Sequence, residues 1–351
     1  MPAPWKVLVV DDQAANRSAL SALLEQDGRA VVVGRASDGT EAIRLLREKE
    51  PDVITLDLEM PRMDGFTFLR LVPGIRRVPI IVVSTDSRPH SVFQALELGA
   101  LDFVVKPTVG DISPSSDAGR DLREKVLAAA EYGNRIPGPE VPERESTGWR
   151  SSGISCVAVA ASTGGPPFVQ ALLESLTEPP PFSVVVAQHM PARFTEAFAE
   201  RLKKRVRFPV SELKQAEPIL RGRAYICPGG LISTIKSVAG HPIARLSPPA
   251  GERFAPSADV LLSSVADAFG QEAACVVATG MGRDGAEGAR AVDRAKGRVF
   301  VEAPSTAVLP TMPLAALEAV PTARVMRQDA MCRYFSNAAR ALAASRPPAR
   351  S

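Results

Sequence analysis

The sequence has few cysteines and lacks a long apolar run. Its four cysteines form no C-x-x-C pair: Cys156, Cys227, Cys275 and Cys332. This pattern favours buried structural thiols in a reducing compartment and argues against a disulfide framework, a metal site or a redox site. No apolar run is long enough to span a bilayer, and acidic residues follow the first apolar run at once. We therefore expect no signal peptide, no membrane insertion and a cytoplasmic location.

The sequence also lacks a strong excess of charge. Its 42 lysines and arginines face 39 aspartates and glutamates, and the net charge is +3. This near-balance argues against nucleic acid as the main partner. The chain has 351 residues, of which 45% are hydrophobic and 23% charged. Such a composition is ordinary for a globular protein, and the length predicts two domains.

Strand-like apolar runs alternate with amphipathic, helix-like stretches in both halves of the chain. This alternation predicts parallel βαβ units whose sheets are covered by helices on both faces. A stretch rich in proline, glycine and charge separates the halves, as in a linker. We predict two doubly wound α/β domains, at residues 1–132 and 154–325. A linker at 133–153 joins them, and a C-terminal helix with a tail follows at 326–351.

In the first half, polar side chains stand at the ends of several predicted strands: Asp11, Asp12, Asp57, Ser84 and Lys106. The carboxyl ends of parallel strands meet at one edge of a sheet. Three carboxylates gathered there attract a hard cation, and Mg²⁺ fits such a site. With the cation in place, Asp57 could attack a phosphoryl donor. Lys106 and Ser84 would then hold the added charge.

With these residues in order, residues 6–132 resemble a two-component receiver domain, which implies a flavodoxin-like fold. The resemblance implies that Asp57 is the phosphoacceptor and that a histidine kinase is the phosphodonor. It also implies Mg²⁺ bound by Asp11, Asp12 and Asp57, with the backbone carbonyl of Glu59 as a further ligand. The switch positions of the family correspond to Ser84, Phe103 and Lys106.

In the second half, the run VAVAASTGGPP stops abruptly at Ser162, which is followed by small residues. A nucleophilic serine needs a base, and the chain has only three histidines. His90 lies in the first half, and His241 lies in a predicted loop. His189 ends the neighbouring predicted strand, FSVVVAQ. Because parallel strands end at the same sheet edge, we expect Ser162 and His189 to lie within hydrogen-bond reach.

The third member of such a site is an acid that orients the imidazole. Asp284 lies in the loop GMGRDGAEG, after the predicted strand ACVVAT. The order Ser162, His189, Asp284 differs from the common hydrolase classes, but triads are recognised by geometry rather than order. The stretch A-A-S-T-G also approaches the G-x-S-x-G elbow, with Ala160 in place of the first glycine.

The same loop supports a competing hypothesis. Residues 280–285 spell G-x-G-x-x-G between a predicted strand and a predicted helix, and Glu302 ends the next strand. This spacing approaches that of a dinucleotide-binding site with a ribose-binding acid. The hypothesis leaves Ser162 and His189 without a role. It also puts the Asp284 carboxylate where a pyrophosphate would lie, and like charges repel.

Three segments, AASTGGPP, AQHMPARFTEAFAERL and ATGMGRDGAEGA, resemble the catalytic motifs of CheB-type protein-glutamate methylesterases. The resemblance implies a three-layer α/β/α domain in which Ser162 is the nucleophile, His189 the general base and Asp284 the orienting acid. It places Thr163 and Met281 along the site, and nearby backbone amides around the oxyanion. Together with the receiver, it covers about residues 6–320.

The resemblance also implies a reaction and its control. The family substrate is the γ-methyl ester of a glutamate on the helical cytoplasmic region of a chemoreceptor. Hydrolysis needs no cofactor and releases methanol, and some members also hydrolyse receptor glutamines to glutamates. The unphosphorylated receiver obstructs the active site, and phosphorylation relieves the obstruction. We expect a monomer.

Two segments depart from the family pattern. After a Pro-Gly-Gly, the family usually has His and Met where this chain has Leu231-Ile232-Ser233. Where the family usually has a Gln-Asp-Glu-like segment, this chain has Glu302-Ala303-Pro304, and it has a further proline at Pro310. We expect both segments to border the substrate groove. They motivate an alternative in which the chain is a phosphorylation-dependent binding module with little catalysis.

Overall fold

The structure is a computed structural model, and it describes four stretches of the chain: residues 3–84, 88–106, 116–132 and 153–344. The chain divides into two compact units, Met1–Ile136 and Pro137–Ser351. The predicted linker lies outside the described residues apart from Gly153, and so does the tail after Ala344.

The described residues of the first unit form one five-stranded sheet and five α-helices. Its strands are β1 (Trp5–Val10), β2 (Ala30–Ala36), β3 (Val53–Leu56), β4 (Ile80–Ser84) and β5 (Asp102–Val105). Its helices are α1 (Ala14–Glu25), α2 (Gly39–Lys49), α3 (Gly65–Leu71), α4 (Pro89–Glu97) and α5 (Asp117–Tyr132). Neighbouring strands are parallel, in the order β2-β1-β3-β4-β5. This order is the flavodoxin-like one that the resemblance implied.

Burial and capping explain these elements. The strands are nearly continuous apolar runs because helices cover both faces of the sheet, and Val7 to Val10 are fully buried. Helix α2 begins where the carboxylate of Asp38 accepts hydrogen bonds from the amides of Thr40 and Glu41, at 2.7 and 3.0 Å.

The second unit contains a seven-stranded sheet in the order β14-β13-β12-β6-β7-β9-β8, with all neighbours parallel. These strands are β6 (Cys156–Ala161), β7 (Ser183–Gln188), β8 (Val210–Glu212), β9 (Ala224–Ile226), β12 (Ala273–Val277), β13 (Arg298–Glu302) and β14 (Arg324–Met326). The strands β10 (Ile232–Val238) and β11 (His241–Ser247) form a separate antiparallel hairpin. The short edge strands β8 and β14 were not predicted.

Within the described part of this unit, six α-helices cover the sheet: α6 (Gly165–Ser175), α7 (Ala192–Lys203), α8 (Ala258–Phe269), α9 (Ala286–Arg294), α10 (Thr311–Ala319) and α11 (Gln328–Ala344). Apolar residues of α8, α9 and α10 share one core with residues of one sheet face, including Ala158, Ala160 and Val185. Helix α11 packs on α6, and the ring of its buried Phe335 lies 5.0 Å from that of Phe300. The fold is therefore the predicted pair of doubly wound domains, and the C-terminal helix belongs to the packed core.

The expectation of buried thiols holds for three of the four cysteines, while Cys332 is half-buried. Cys156, Cys227 and Cys275 are buried free thiols, and burial raises the pKa of Cys156 and of Cys227 to about 12. Such thiols remain protonated and unreactive near neutral pH. Within the described stretches, none of the helices combines the length and the apolar character needed to cross a membrane.

Candidate active site

The ends of β6 and β7 bring Ser162 and His189 side by side. These strands are parallel neighbours whose last paired residues are Ala161 and Gln188, so Ser162 and His189 are the next residues along each strand. Neighbouring strands lie about 4.8 Å apart. The amide of His189 donates to the carbonyl of Ala161 at 3.0 Å, which continues the pairing past the strand end.

The backbone of Ser162 is held from two sides. Its amide donates to the carbonyl of Thr279 at 3.0 Å, just after β12. The side-chain amide of Gln188 donates to the carbonyl of Ser162 at 2.8 Å and to that of His189 at 3.2 Å. Ser162 is only 5% exposed. The sheet edge thus fixes the position of the serine through backbone contacts.

Glycines make this close packing possible. A Cβ at Gly280 would lie 2.8 Å from the Cβ of Ser162, closer than carbon atoms can approach without a shift. Gly164 has φ +77°, and a Cβ there would lie 2.7 Å from the Cβ of Val308. The small residues after β6 and β12 therefore let two loops close around the serine.

His189 is oriented at its edge and on its face. Its Nε2 lies 2.7 Å from Oδ2 of Asp284, as the sequence predicted for this pair. The ring of Phe254 stacks on the imidazole, with centroids 4.3 Å apart and planes inclined by 14°. The other histidines, His90 and His241, are exposed. Sequence reasoning did not find Phe254, because it lies in an irregular loop before α8.

Asp284 is itself held by the first turn of α8. Its carboxylate accepts from the amides of Ala258 and Asp259, at 2.7 and 2.9 Å, and from the hydroxyl of Ser257 at 3.3 Å. Burial raises the pKa of Asp284, but the hydrogen bond and charge of His189 and these two amides outweigh it. The net pKa lies below the ordinary aspartate value, so the carboxylate is ionised beside the imidazole.

The remaining side of the expected triad is open. Ser162 Oγ makes no hydrogen bond to any residue in the described stretches, and the buried Nδ1 of His189 likewise has no partner there. The expected hydrogen bond between Ser162 and His189 is therefore not formed. Such contacts are often long in esterases without substrate and tighten when the substrate binds.

The two residues expected to line the site, Thr163 and Met281, lie in the loops after β6 and β12. Thr163 is buried directly after Ser162, and its carbonyl accepts from the hydroxyl of Thr279 at 2.9 Å. Met281 is half-buried and follows Gly280, the glycine that packs on Ser162. Among the residues that the structure describes, none accepts a hydrogen bond from the backbone amide of Met281.

The two atypical segments also contact these loops. The amide of Gly230 donates to the carbonyl of Ala255 at 2.9 Å, next to Phe254. In the other segment, the carbonyl of Leu309 accepts from the amide of Gly280 at 2.9 Å. The atypical residues 231–233 and 302–310 thus adjoin the loops that carry Phe254 and Asp284.

Glu302 does not fit the dinucleotide hypothesis. It is 1% exposed, and its carboxylate accepts from the amide of Thr279 at 2.7 Å. Burial raises its pKa to about 7, because that single hydrogen bond offsets only part of the cost of burying the charge. A buried carboxyl with a backbone partner is not placed to bind a ribose. Asp284, within the same glycine-rich loop, is already bonded to His189.

In the first unit, the predicted acidic residues converge. Carboxylate oxygens of Asp11, Asp12 and Asp57 lie within 4.8 Å of one another. The ammonium of Lys106 contacts Asp57 and lies 2.6 Å from Oδ2 of Asp11. The hydroxyl of Ser84 donates to Oδ1 of Asp57 at 3.1 Å. Phe103, the other residue matched to a switch position, is buried in β5.

Burial and charge act against each other in this cluster. Burial raises the pKa of Asp57, although Lys106 lowers it in part. Burial lowers the pKa of Lys106, but contacts with Asp11 and Asp57 outweigh it and hold the pKa above the ordinary lysine value. Three carboxylates thus face one ammonium, and Asp12 is open to solvent. An excess of negative oxygen ligands at an accessible edge fits a hard divalent cation.

Comparisons with known proteins identify the family of each unit. Residues 157–335 match the family model described as CheB methylesterase, and residues 7–112 match that of the response regulator receiver domain. The chain is 42% identical to protein-glutamate methylesterase/protein-glutamine glutaminase 1 of Myxococcus xanthus (strain DK1622), over 92% of both chains. It is 39% identical to the protein numbered 3 of that name in Geobacter sulfurreducens, over 93% of this chain and 95% of the relative.

A solved structure supports the same assignment. The crystal structure of the Thermotoga maritima CheB methylesterase catalytic domain matches with a TM-score of 0.51 and 29% identity, over 53% of this chain and 98% of that domain. The family match and the similarity to whole relatives together cover both units. The chain therefore belongs to the CheB methylesterase family, with a response regulator receiver domain before its esterase domain.

Proposed function

We propose that this protein is a phosphorylation-regulated serine esterase that hydrolyses glutamate γ-methyl esters of a chemoreceptor. Ser162 is the nucleophile, His189 the general base and Asp284 the acid that orients the imidazole. The observation that carries the proposal is the 2.7 Å contact between His189 and Asp284, placed on the strand end next to Ser162. A strand-end histidine without a catalytic role would not be expected to contact a buried carboxylate.

The acylation step follows from which ring nitrogen is free. Nε2 of His189 is engaged by Asp284, so Nδ1 takes the proton as Ser162 Oγ bonds to the ester carbonyl carbon. The ionised Asp284 stabilises the imidazolium that forms. Backbone amides near Ser162, including that of Met281, would stabilise the oxyanion. The bond from carbon to the methoxy oxygen then breaks, and methanol leaves with the proton from His189.

Deacylation uses the same groups in reverse roles. A water molecule gives a proton to His189 as its oxygen bonds to the acyl carbon. The bond to Ser162 Oγ then breaks, Oγ regains its proton, and the glutamate carboxylate is released. A receptor glutamine would form the same acyl-enzyme with loss of ammonia, so we propose glutamine hydrolysis as a second activity. Thr163 and Met281 line the site in this scheme.

The receiver supplies the control. Asp57 is the proposed phosphoacceptor, and a histidine kinase is the proposed donor. Asp11, Asp12 and Asp57 would hold Mg²⁺, which when bound neutralises charge on the phosphoryl group. Lys106 and Ser84, which contact Asp57 here, would hold the phosphoryl oxygens. The unphosphorylated receiver restrains the esterase, and phosphorylation relieves this restraint. Phe103 belongs to the proposed switch.

We propose the domain boundaries that the sequence predicts: a receiver at 1–132, a linker at 133–153, the esterase at 154–325 and a C-terminal helix and tail at 326–351. The protein acts in the cytoplasm, because its proposed substrate is the cytoplasmic region of a receptor. We also propose that it acts as a monomer. The division into receiver and esterase is supported by the two separate compact units and by the separate family matches, and the esterase match itself extends to residue 335, past the boundary at 325.

The function is tested with the full-length protein and a receptor fragment that carries glutamate methyl esters. We expect methanol release, and a higher rate when acetyl phosphate is added as phosphodonor. Absence of methanol at every phosphodonor concentration would instead support the binding module. A calorimetric titration with NAD tests the dinucleotide hypothesis, and we expect no saturable heat.

A further inference from the structure

We infer that Phe254 is a positioning residue for His189, acting through the stack of the two rings. The inference rests on the proposed function, because it concerns the imidazole that serves as base. The rings are nearly parallel, with centroids 4.3 Å apart and an inclination of 14°. Neither the motifs nor the family matches single out Phe254.

Phe254 and Asp284 restrain different motions of the imidazole. The contact between Asp284 and Nε2 holds one edge of the ring, but a ring held only at one edge can still tilt about that contact. Phe254 covers a face and limits this tilt. Because Nδ1 has no hydrogen-bond partner among the described residues, no other polar contact at the ring fixes its direction. The stack therefore fixes the plane of the imidazole.

The chain segment that carries Phe254 is itself anchored. The next residue, Ala255, accepts a hydrogen bond from the amide of Gly230 at 2.9 Å. Two residues later Ser257 begins α8, whose first amides bind Asp284. One short segment thus supplies the group on the face of His189 and the donors that fix the acid at its edge. Any shift of this segment would move both restraints together.

The stack also suits the charge that develops during the reaction. The imidazole becomes a cation when it takes the serine proton, and the face of an aromatic ring attracts a cation. The charged groups around the pair are Asp284 at the edge, Asp259 behind it, and Arg253, whose guanidinium carbon lies 5.2 Å from the Phe254 centroid. A phenyl ring stabilises the imidazolium without adding a competing hydrogen bond.

A purely structural role is the alternative, and the burial of Phe254 argues against it. The side chain is only half-buried and does not belong to the fully buried core. Phe269, at the opposite end of α8, is also half-buried and packs against the apolar cluster of the sheet face. Phe269→Leu is therefore a matched control for the loss of a half-buried ring.

The test compares Phe254→Leu, Phe254→Tyr and Phe269→Leu in the full-length protein. Protons over an aromatic face are shielded, and the chain has three histidines, so His189 ring resonances are assignable with a His189→Gln variant. We expect shielded His189 resonances in the wild type and Phe254→Tyr, and loss of shielding in Phe254→Leu. For methanol release from the methylated receptor fragment, we expect kcat to fall about tenfold in Phe254→Leu with KM little changed. Phe254→Tyr and Phe269→Leu should keep wild-type kcat.

Each outcome is decisive for the inference. Unchanged kcat in Phe254→Leu would overturn it, as would equal losses in the Leu and Tyr variants or a loss confined to KM. A Phe269→Leu variant as slow as Phe254→Leu would show a structural effect and would also overturn it. These results leave the proposed function intact if the wild-type protein releases methanol. A wild type that releases none fails the proposed function, while the resonances still report whether the stack exists.

Discussion

Asp284 and Asp259 hold each other's chain segments in place. The carboxylate of Asp284 accepts from the amide of Asp259 at 2.9 Å, at the start of α8. In return, the carboxylate of Asp259 accepts from the amides of Gly285 and Gly288, at 2.9 and 2.8 Å, at the start of α9. Each acid thus satisfies amides that a helix N-terminus leaves unpaired. The exchange fixes the loop of the proposed orienting acid against α8.

Removal of one partner should therefore affect both stability and turnover. We expect Asp259→Ala to lower the free energy of unfolding by about 1 to 2 kcal/mol, the usual cost of a lost N-terminal cap. Turnover should also fall, because the loop of Asp284 loses its anchor at the amide of Gly285, although the amide of residue 259 can still bind Asp284. Thermal unfolding and methanol release measure the two effects. Asp267→Ala, an exposed aspartate of the same helix, is the control and should change neither. Wild-type turnover in Asp259→Ala would separate the capping from the chemistry.

Glu302 should make stability depend on pH. Burial raises its pKa from 4.5 to about 7. Between these values the unfolded chain has lost the proton that the folded protein keeps, so stability falls as pH rises through this window. The free energy of unfolding decreases by about 3 kcal/mol at most. The decrease is complete when the pH is well above the folded-state pKa of about 7.

The variant Glu302→Gln tests this dependence, because it keeps the shape of the side chain and removes its charge. We expect its Tm to exceed that of the wild type at pH 8 and the two values to converge near pH 5. Glu200→Gln, an exposed glutamate on α7, is the control and should follow the wild type at both pH values. If the Tm of Glu302→Gln and that of the wild type depended on pH in the same way, Glu302 would not titrate in this window.

Gly280 should tolerate no side chain. A Cβ added at this position would lie 2.8 Å from the Cβ of Ser162 and would also collide with the sulfur of Met312. We expect Gly280→Ala to reduce methanol release at least tenfold, because Ser162 or its loop must shift. Gly74→Ala is the control, since no atom lies within 4 Å of its added Cβ and its φ is not positive. Full activity in Gly280→Ala would mean that the loop relaxes without moving Ser162.

Asp57 should be required for the response to phosphodonor. We expect acetyl phosphate to raise the methanol release of the wild type and to leave that of Asp57→Asn unchanged, because the amide cannot accept the phosphoryl group. The measurement is the ratio of rates with and without acetyl phosphate. Asp121→Asn, a partly exposed aspartate of α5, should keep the wild-type ratio. A wild-type ratio in Asp57→Asn would reject this residue as the acceptor.

The fold and most polar site residues could be predicted because they follow from periodic patterns. Buried parallel strands are apolar throughout, so the polar residue where each one ends stands out. Ser162 and His189 became candidates in this way, and so did Asp57 and Lys106. The edge strands β8 and β14 escaped prediction because only one of the three residues in each is buried, so neither stands out as an apolar run.

Other features depend on tertiary contacts that leave no local pattern. Phe254 lies in an irregular loop, and only the folded chain shows that its ring covers His189. Asp259 has the ordinary signature of an acid in the first turn of a helix, which gives no sign that its partners lie at the start of α9. The direction of the His189 ring, with Nε2 toward Asp284, is likewise set by the site and not by the motif.

The most direct measurement is the rate at which the Ser162→Ala protein releases methanol from a methylated receptor fragment. Ser183→Ala, a buried serine at the opposite end of the neighbouring strand, serves as the control. We expect the Ser162→Ala protein to be inactive and the Ser183→Ala protein to keep the wild-type rate. A Ser162→Ala protein that releases methanol at the wild-type rate would contradict this expectation.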